Sequence, residues 1–349
     1  MDKEIIKEIR DKLSNIKEQK VLVIGDLAID EMIYGDCERI SREAPVLILQ
    51  HSHTNIILGG ASNAANNISA LNGGKISVIG VCGNDYHSDI LLQAFKKANI
   101  DTQYIVKSDD VKTIVKTRIS GSCSQSITQQ IVRIDRQTNK YISGDTEKQI
   151  IQNIEKALPN FDAVILSDYH ICTLTDNIAK KTIELAKKYN KIVVADAQKN
   201  LNKYIGATAI TPNQPDTEKY LGFFLKDEAS LIKAGNQLLN ELNLEGVLIT
   251  RGALGMAVFQ SNDKIVQIPA YNKTDVFDVT GAGDTVVATF TLALASGFSF
   301  EESTFIANVA ASIVIRRFGC STTSISELKC HIDKMIESNG KEILNERKF

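Results

Sequence analysis

Short apolar runs alternate with longer helical patterns along most of this chain, and that alternation restricts the possible folds more than any other feature. The predicted strands are residues 20–25, 75–81, 163–166, 192–195, 207–210 and 246–250. The predicted helices are residues 63–71, 85–98, 178–189, 227–242, 282–296 and 301–317. Because the strands are apolar almost throughout, both faces of their sheet must be covered. The pattern predicts a three-layer α/β/α fold with a mostly parallel central sheet.

Two segments break the alternation, at about residues 31–55 and 111–135. Both are rich in β-branched and polar residues that alternate as in strands, and the second contains a predicted hairpin of residues 114–119 and 127–134 with a turn at 120–126. We expect a small antiparallel sheet that stands off the main one. Because open α/β sheets bind ligands at the carboxyl ends of their strands, a sheet placed there would be a lid.

The lid segments are expected to be insertions in a single domain that spans residues 1–349. The sequence has five scattered prolines and no internal repeat, so no rigid linker divides it. A small sheet on its own has open edges, and open edges are normally covered. We therefore expect a homodimer in which the lids of two chains cover one another.

The charge balance and the residues at the start of the sequence restrict the kinds of partner and the compartment that we expect. The 40 basic and 42 acidic residues leave a net charge of −2, which predicts no nucleic-acid partner and no attraction to anionic membranes. The first 20 residues are charged throughout, unlike a secretory signal, and residues 285–298 are too short to span a bilayer. The six cysteines are scattered without C-x-x-C spacing. A cytoplasmic protein with reduced thiols is expected.

The octapeptide DVTGAGDT, residues 278–285, carries the strongest chemical signal and opens an apolar helix. Backbone N–H groups of Gly281, Ala282 and Gly283 at a helix entrance would form an anion hole for a phosphoryl group. The helix dipole favours the charged form of Asp284, which would then accept a hydroxyl proton. This combination is typical of phosphoryl transfer to an alcohol. A glycine-rich turn with an aspartate cap is the simpler alternative for a shorter motif.

Two further motifs carry groups suited to a sugar. Gly59 and Gly60 precede a helix of small residues, where a ligand can approach the backbone, and Asn63 can donate to and accept from a hydroxyl. Asp26 and Asp30 follow the first strand and would bind hydroxyls. Tight helix packing and turn capping explain the same residues about equally well.

Two more motifs, TPN at 211–213 and TRGALG at 250–255, place polar groups where strands end. Arg251 could meet a nucleotide phosphate or form a surface salt bridge, and the sequence does not separate the two. There is no G-x-x-x-x-G-K-[ST] sequence and no G-x-G-x-x-G after the first strand. These absences argue against a P-loop NTPase and a dinucleotide-binding dehydrogenase.

Taken in order, GDLAID, GGASNAANN, SDY, TPN, TRGALG and DVTGAGDT resemble the ribokinase/PfkB family of carbohydrate kinases. The resemblance covers residues 21–324, and the pattern at residues 25–46, which includes RIS-x-EAPV, resembles the heptose-7-phosphate kinase domains of ADP-heptose synthases. The family implies a ribokinase-like fold, ATP with Mg²⁺, and a dimer formed through the lids. It implies ATP-dependent phosphorylation of D-glycero-β-D-manno-heptose 7-phosphate at its anomeric 1-hydroxyl.

The resemblance also implies roles for particular residues. Asp284 would be the base and the 281–283 backbone the anion hole. The residues that would hold the sugar are Asp30, Gly59, Gly60 and Asn63. The residues that would line the ATP site are Asn213, Thr250, Arg251, Gly252, Gly255 and Asn308. From charge and position on the lid, the candidates for the 7-phosphate are Lys116, Arg118 and Arg133, for which solvated strand charges are an equally good interpretation.

Several positions depart from the family pattern. The N-x-x-E motif, which organises Mg²⁺ and phosphate, ends here in Asp216, the candidate to hold Mg²⁺ through water. Ile171 and Gln198 stand where the heptose kinases usually have lysines, and Arg42 replaces a proline. No H-x-G-H motif is present, so a separate adenylyltransferase is expected to follow the kinase. The alternatives are another PfkB kinase acting on an unphosphorylated sugar or a nucleoside, and a non-catalytic sugar or nucleotide sensor.

Overall fold

The computed structural model describes residues 1–122, 128–261, 264–271 and 276–337. The helices are α1 (Lys3–Lys12), α2 (Ala61–Asn72), α3 (Tyr86–Lys97), α4 (Gly144–Ala157), α5 (Asp176–Lys188), α6 (Gln214–Leu221), α7 (Glu228–Leu242), α8 (Ala282–Ala295), α9 (Phe300–Val314) and α10 (Ile325–Glu337). The strands are β1 (Val21–Gly25), β2 (Leu27–Ile40), β3 (Leu47–Gly60), β4 (Ile76–Ile79), β5 (Val81–Gly83), β6 (Val106–Ser108), β7 (Ile114–Ser122), β8 (Gln129–Arg136), β9 (Ala163–Asp168), β10 (Ile192–Ala197), β11 (Ala209–Ile210), β12 (Gly246–Thr250), β13 (Met256–Gln260) and β14 (Ile265–Ile268).

Within the described residues, eight strands form the main sheet in the order β14-β13-β12-β11-β10-β9-β1-β4. The strands from β12 to β4 are parallel, and β13 and β14 add an antiparallel edge. Strand β1 shows why the sheet is covered twice: Val21 and Val23 belong to one apolar cluster and Leu22 and Ile24 to the other. Helices α1, α2, α3, α8, α9 and α10 pack on the first face, and α4, α5 and α7 on the second. The predicted three-layer fold is confirmed.

The lid is a four-stranded sheet in the order β3-β2-β7-β8. It consists of two antiparallel hairpins, β2–β3 and β7–β8, whose inner strands β2 and β7 pair in parallel. Strand β2 begins two residues after β1 ends, which places the base of the lid at the carboxyl edge of the main sheet. The predicted turn at 120–126 is wrong at its start, because β7 continues to Ser122; the rest of that turn, 123–126, and the first residue of the predicted 127–134 strand lie outside the described residues.

The helix α8 runs through the centre of the molecule. It is apolar on all sides, and its residues from Asp284 to Leu294 are buried, as expected for a helix without a polar face. It contacts α9, α2, β9 and β10. Its first turn, with the DVTGAGDT sequence, is thereby fixed beside the carboxyl ends of the parallel strands. None of the helices in the described ranges has the length and apolarity required to cross a bilayer.

The predicted elements differ from the observed ones mainly at the edges of the fold. The sequence analysis did not identify α4, α6, α10, β13 or β14, and the predicted 301–317 helix stops at Val314. Beyond Val314 the chain forms a turn, in which Ser321 Oγ donates to the Val314 carbonyl and Arg317 donates to the Thr322 carbonyl. Asp227 caps α7 as predicted, accepting the Ser230 N–H at 2.8 Å.

Candidate active site

Asp284 lies in the first turn of α8 and is 5% exposed. Both of its carboxylate oxygens accept hydrogen bonds from side chains of other elements. Asn63 of α2 donates from Nδ2 to Oδ2 at 2.7 Å, and the hydroxyl of Tyr169, just after β9, donates to Oδ1 at 2.8 Å. Two distant segments therefore fix one carboxylate of α8, and its remaining lone pairs are available to a hydroxyl.

Burial dominates the ionisation of Asp284. It raises the pKa of the carboxyl to about 6, although hydrogen bonds from Asn63 and Tyr169 and the charge of Lys116 lower it. The nearby Asp30 carboxylate raises the pKa further. The helix dipole, from which the charged form was predicted, is thus a smaller influence than this burial, which the local sequence does not indicate. Above pH 6 the group is nonetheless mainly a carboxylate and can accept a proton.

The entrance of α8 requires glycine. Gly281 has φ +77°, and a Cβ atom there would lie 2.6 Å from Nδ2 of Asn63. No side chain caps the helix, so the N–H groups of Gly283 and Asp284 in its first turn have no acceptor within it. The Ala282 N–H donates to the Val279 carbonyl at 3.2 Å. The predicted anion hole therefore has free donors at Gly283 and Asp284, and Ala282 contributes to the turn.

Asp278, at the start of the same motif, ties the entrance of α8 to the segment after α9. Its carboxylate accepts the N–H groups of Thr280 and Gly319, each at 2.9 Å. Burial raises the pKa of Asp278, but these hydrogen bonds and the charge of Arg118 outweigh burial, so the net pKa is lowered. The part of the motif before the glycine pair is thus tied to the segment after α9.

A pocket of about 320 Å³ opens beside the helix entrance. Its walls are largely apolar, formed by Val276, Val279, Val286 and Ile315 among others, and it reaches Ala282 and Gly283. Four of the predicted ATP-site residues line it: Thr250, Gly252, Gly255 and Asn308. An apolar cavity that ends at free backbone donors suits a ligand with a flat apolar part and an anionic part.

The other two predicted ATP-site residues lie next to this pocket. The Arg251 guanidinium contacts side-chain oxygens of Gln214 at 3.4 Å and Gln267 at 3.2 Å. Within the described part of the chain it has no carboxylate partner, so the salt-bridge interpretation finds no support there. Asn213 caps α6, its Oδ1 accepting the Asp216 N–H at 2.7 Å.

Two carboxylates lie where neighbouring strands of the main sheet end: Asp196 near the end of strand β10 and Asp216 in α6, the helix after β11. Burial raises the pKa of Asp216, and burial together with Asp284 raises the pKa of Asp196 to about 7. The charge of Asp216 also raises the pKa of Asp196. Across residues 1–122, 128–261, 264–271 and 276–337, no group of three or more His, Cys, Asp or Glu side chains could enclose a metal ion.

Asp30 and Arg118 face each other where the lid meets the main sheet. Asp30 Oδ1 and Arg118 Nη1 are 3.0 Å apart and buried, yet they are not aligned as a hydrogen bond. Gly59 makes room for this carboxylate, since a Cβ atom there would lie 3.1 Å from Asp30 Cγ. The neighbouring Gly60 has φ +56° and lies against the Asp26 carbonyl. The pair therefore retains hydrogen-bonding capacity for a ligand.

Lys116 and Arg133 are the other cations predicted on the lid. Lys116 Nζ lies 5.1 Å from the centre of the Tyr169 ring, and its charge acts on Asp284. Arg133 is opposite Arg118 on β8 and donates twice to Asp135, at 2.8 and 2.7 Å. Arg133 is half-exposed and already paired, which agrees better with a solvated strand charge.

The prediction that Asp26 binds hydroxyls is wrong. Its side chain is fully buried and accepts four backbone N–H groups, from Tyr169 and Ile171 at 3.1 Å each, Cys172 at 3.1 Å and Thr173 at 2.8 Å. With all those donors bound, the carboxylate has no surface left for a ligand. It fastens the segment after β9, and the turn-capping alternative is correct for this residue.

Comparison with known proteins decides the family. The profile of the pfkB family carbohydrate kinases matches residues 18–327. The chain belongs to the pfkB family of carbohydrate kinases. The prediction of a carbohydrate kinase, a phosphotransferase to an alcohol group, is thereby confirmed.

Relatives of this kinase are longer than the chain. It is 41% identical over 308 residues to "Bifunctional protein HldE" of Geobacter sulfurreducens, covering 88% of this chain and 61% of that protein. It is 37% identical over 352 residues to the protein of the same name from Trichlorobacter lovleyi, covering 99% and 70%. The chain therefore spans about two thirds of the length of these relatives.

Solved structures share the fold of this kinase. Escherichia coli phosphofructokinase-2 with potassium superposes with a TM-score of 0.73 at 16% identity, covering 93% of this chain and 100% of that one. Arabidopsis thaliana ribokinase with ribose and ATP gives 0.67 at 20% identity, covering 91% and 99%. The predicted ribokinase-like fold is confirmed.

The sequence analysis gave no role to three residues that the structure brings to the site of this kinase. Tyr169 is part of SDY and Asp196 lies two residues before Gln198, but no role follows from either pattern. Asn67 completes a buried chain, donating to the Asn63 carbonyl at 3.0 Å and accepting from the Thr285 hydroxyl at 2.8 Å. Their signal was position: Tyr169 and Asp196 stand at the carboxyl ends of β9 and β10.

Proposed function

We propose that this kinase transfers the γ-phosphoryl group of ATP to the anomeric 1-hydroxyl of D-glycero-β-D-manno-heptose 7-phosphate, giving the 1,7-bisphosphate. The observation that carries the proposal is the position of Asp284. Its buried carboxylate directly follows Ala282 and Gly283, which line the apolar pocket, and the Asp30 carboxylate under the lid is near enough to raise its pKa. The two substrates would reach it from these two sides.

In the proposed reaction, Asp284 accepts the proton of the sugar hydroxyl. The hydroxyl oxygen forms a bond to the γ-phosphorus while the bond to the β-phosphate oxygen breaks, and ADP leaves. The free N–H groups of Gly283 and Asp284, in the predicted anion hole at the entrance of α8, would stabilise negative charge on the transferred group. Asn63 is fully buried and donates to Asp284, so in this proposal it reaches the sugar mainly through that carboxylate.

The apolar pocket would take the nucleoside of ATP, with Thr250, Gly252, Gly255 and Asn308 along its wall. Asn308 is held there by donating to the Pro269 carbonyl at 2.7 Å. Arg251 lies between the pocket residues Thr250 and Gly252 and would meet a phosphate, because its guanidinium contacts two neutral glutamine oxygens and, within the described residues, no carboxylate. Asn213 would orient α6 beside it.

Asp216 fits a role in holding Mg²⁺. Carboxylate oxygens suit this ion, and the burial that raises the pKa of Asp216 would be offset by a cation beside it. Mg²⁺ usually keeps several waters and binds few protein carboxylates, which agrees with an arrangement through water. When bound, the ion would neutralise charge on the β- and γ-phosphates.

The heptose part of the proposal rests on the sequence pattern at residues 25–46 and on the lid cations. Asp30, with Gly59 and Gly60 beside it, would bind sugar hydroxyls. Arg118 would bind the 7-phosphate, with Lys116 and Arg133 contributing charge. We further propose one kinase domain over residues 1–349, a dimer through the lids, and a separate adenylyltransferase as the next enzyme.

An unphosphorylated sugar as acceptor is the second candidate, and specific contacts favour it. Arg118 already faces Asp30, and Arg133 is bonded to Asp135. Ile171 is buried in the apolar core, where the heptose kinases usually carry a lysine. The site is therefore less cationic than the family pattern implies.

A panel of acceptors tests the proposal. ADP release with ATP would be measured for heptose 7-phosphate, fructose, ribose and a nucleoside, in the wild type and in Asp284→Asn. We expect turnover with the heptose phosphate and a loss of about 10²–10⁴-fold in kcat in the variant, with ATP binding retained. Near-full kcat in Asp284→Asn would show that Asp284 is not the base, and no turnover with any acceptor would favour a sensor.

A further inference from the structure

Tyr169 has an unusual set of contacts for a side chain that only fills space. Its hydroxyl donates to Asp284 Oδ1 at 2.8 Å, opposite the bond from Asn63 to Oδ2. Its ring lies between Lys116 Nζ, 5.1 Å from the ring centre, and Gly60, whose Cβ position would be 3.7 Å from Tyr169 Cδ2. The phenol therefore has little freedom to turn away from the carboxylate.

The backbone of Tyr169 is held equally firmly. Its N–H donates to Asp26 at 3.1 Å, and the next three donors to that carboxylate come from Ile171, Cys172 and Thr173. A buried carboxylate that binds four N–H groups stabilises a strained turn, and here His170 within the turn has φ +55°. The fully buried Asp26 thus fixes the direction in which β9 presents Tyr169.

We propose that Tyr169 is a positioning residue for phosphoryl transfer: its phenol and the Asn63 amide hold the two oxygens of Asp284 so that the carboxylate stays aimed at the acceptor hydroxyl, and Asp26 holds Tyr169 in place. This inference rests on the proposed role of Asp284 as the base. The phenol donates a hydrogen bond and keeps its proton, while the sugar hydroxyl gives its proton to Asp284.

Ionisation supports the geometry. Burial and the Asp284 charge raise the pKa of the Tyr169 phenol well above its usual value, so it remains a donor throughout the working range. The bond from Tyr169 in turn lowers the pKa of Asp284. The other titratable groups facing Asp284 are Lys116 from β7, Asp30 from β2, Asp196 from β10 and Cys320 from the segment after α9.

The test is the pH profile of Tyr169→Phe, which keeps the ring and removes the donor. Loss of a hydrogen bond to a charged group should lower kcat by about tenfold to a hundredfold. It should also move the acidic limb of the kcat/KM profile upward by about one pH unit. The measurement would use whichever acceptor the wild type phosphorylates. ¹³C NMR of protein with labelled aspartate carboxyls, assigned through Asp284→Asn, would report the same shift without turnover.

Tyr204→Phe is a matched control. Tyr204 is a fully buried phenol that donates to another carboxylate, Asp168, at 2.6 Å. Its removal should lower the melting temperature and leave the acidic limb unchanged. If Tyr169→Phe does not fold, 3,5-difluorotyrosine at position 169 strengthens the donor and should move the limb downward.

Each outcome has one interpretation. A wild-type kcat and acidic limb in Tyr169→Phe, with only a lower melting temperature, would overturn the inference and leave Tyr169 a structural residue. An active Asp284→Asn enzyme would instead overturn the proposed function. An inactive Asp284→Asn beside an unshifted Tyr169→Phe would reject the inference alone.

Discussion

Two hydrogen bonds hold Asp284 at the entrance of α8 and lower the pKa of its carboxyl group. The burial of the same group raises that pKa. Burial is the largest effect on its pKa, so the group titrates closer to neutrality than an exposed aspartate. A base of this kind accepts a proton more readily than an exposed carboxylate does. The same burial that makes the carboxylate effective therefore brings its protonation close to the working range.

The pH dependence follows with a definite sign. Since the pKa of Asp284 is raised to about 6, kcat/KM should fall as the pH drops through 6 and should be constant above about 7 until another group titrates. The measurement is a kcat/KM profile from pH 5 to 9, with the residual activity of Asp284→Asn as the control without this limb. A profile that stays flat down to pH 5 would contradict the assignment.

The lid arginines should differ in their effects. Arg118→Ala is expected to raise KM for a phosphorylated sugar by about tenfold or more, because a charge-assisted bond contributes roughly 1.5–3 kcal/mol. Arg133→Ala should have a smaller effect, since Arg133 is already bonded twice to Asp135. KM for ATP should change little in either variant. Equal effects of the two substitutions would argue against this placement of the 7-phosphate.

Single residues also show the limit of sequence reasoning. Asp26 and Asp30 look alike in GDLAID. The Asp26 carboxylate accepts hydrogen bonds from four backbone N–H groups, whereas Asp30 faces Arg118. The difference arises from the segment after β9, about 140 residues further along the chain. Local sequence predicted that carboxylates stand at the end of β1, and only the tertiary fold separates their roles.

At the scale of elements, the lid leaves apolar side chains on its surface. Val46, Leu47, Ile131 and Val132 are each 44–55% exposed, and they line a groove of about 660 Å³ with other lid residues. An exposed apolar patch of this kind is typical of an interaction site. It supports the proposed dimer, in which a second lid would cover this face.

The dimer can be tested on one strand of the lid. Val132→Glu places a charge on the exposed apolar face and should shift the protein toward monomer. Ile205→Glu, an exposed isoleucine outside the lid with 52% exposure, is the matched control and should leave the association unchanged. Sedimentation velocity at micromolar concentration makes the comparison. A monomeric wild type would contradict the proposed dimer.

Elements were predictable where their pattern was local. The apolar run of β1 and the Asp227 cap of α7 agree with the structure. Strands β13 and β14 form the antiparallel edge of the sheet, and their pairing with β12 and with each other cannot be predicted from their own residues. The register of such pairs depends on contacts that no short window contains.

At the scale of the whole molecule, the candidate site is assembled from remote parts of the chain. Asn63 and Asp284 are 221 positions apart and share a 2.7 Å hydrogen bond. Each motif could be predicted from sequence, as could their common edge, because parallel strands end at the same side of a sheet. Their mutual distances and the buried position of Asp284 depend on how α2, α8 and β9 pack, which the sequence pattern does not specify.

The substrate that we propose for this kinase is a sugar that already carries a phosphate. The most direct test is the ratio of kcat/KM for D-glycero-D-manno-heptose 7-phosphate and for the same heptose without phosphate, with ³¹P NMR to locate the new phosphate. Two charge-assisted bonds predict a preference of about a hundredfold or more for the phosphorylated sugar, and a product phosphorylated at the anomeric carbon. A higher kcat/KM for the free heptose, or for any unphosphorylated sugar, would contradict the proposed phosphorylated substrate.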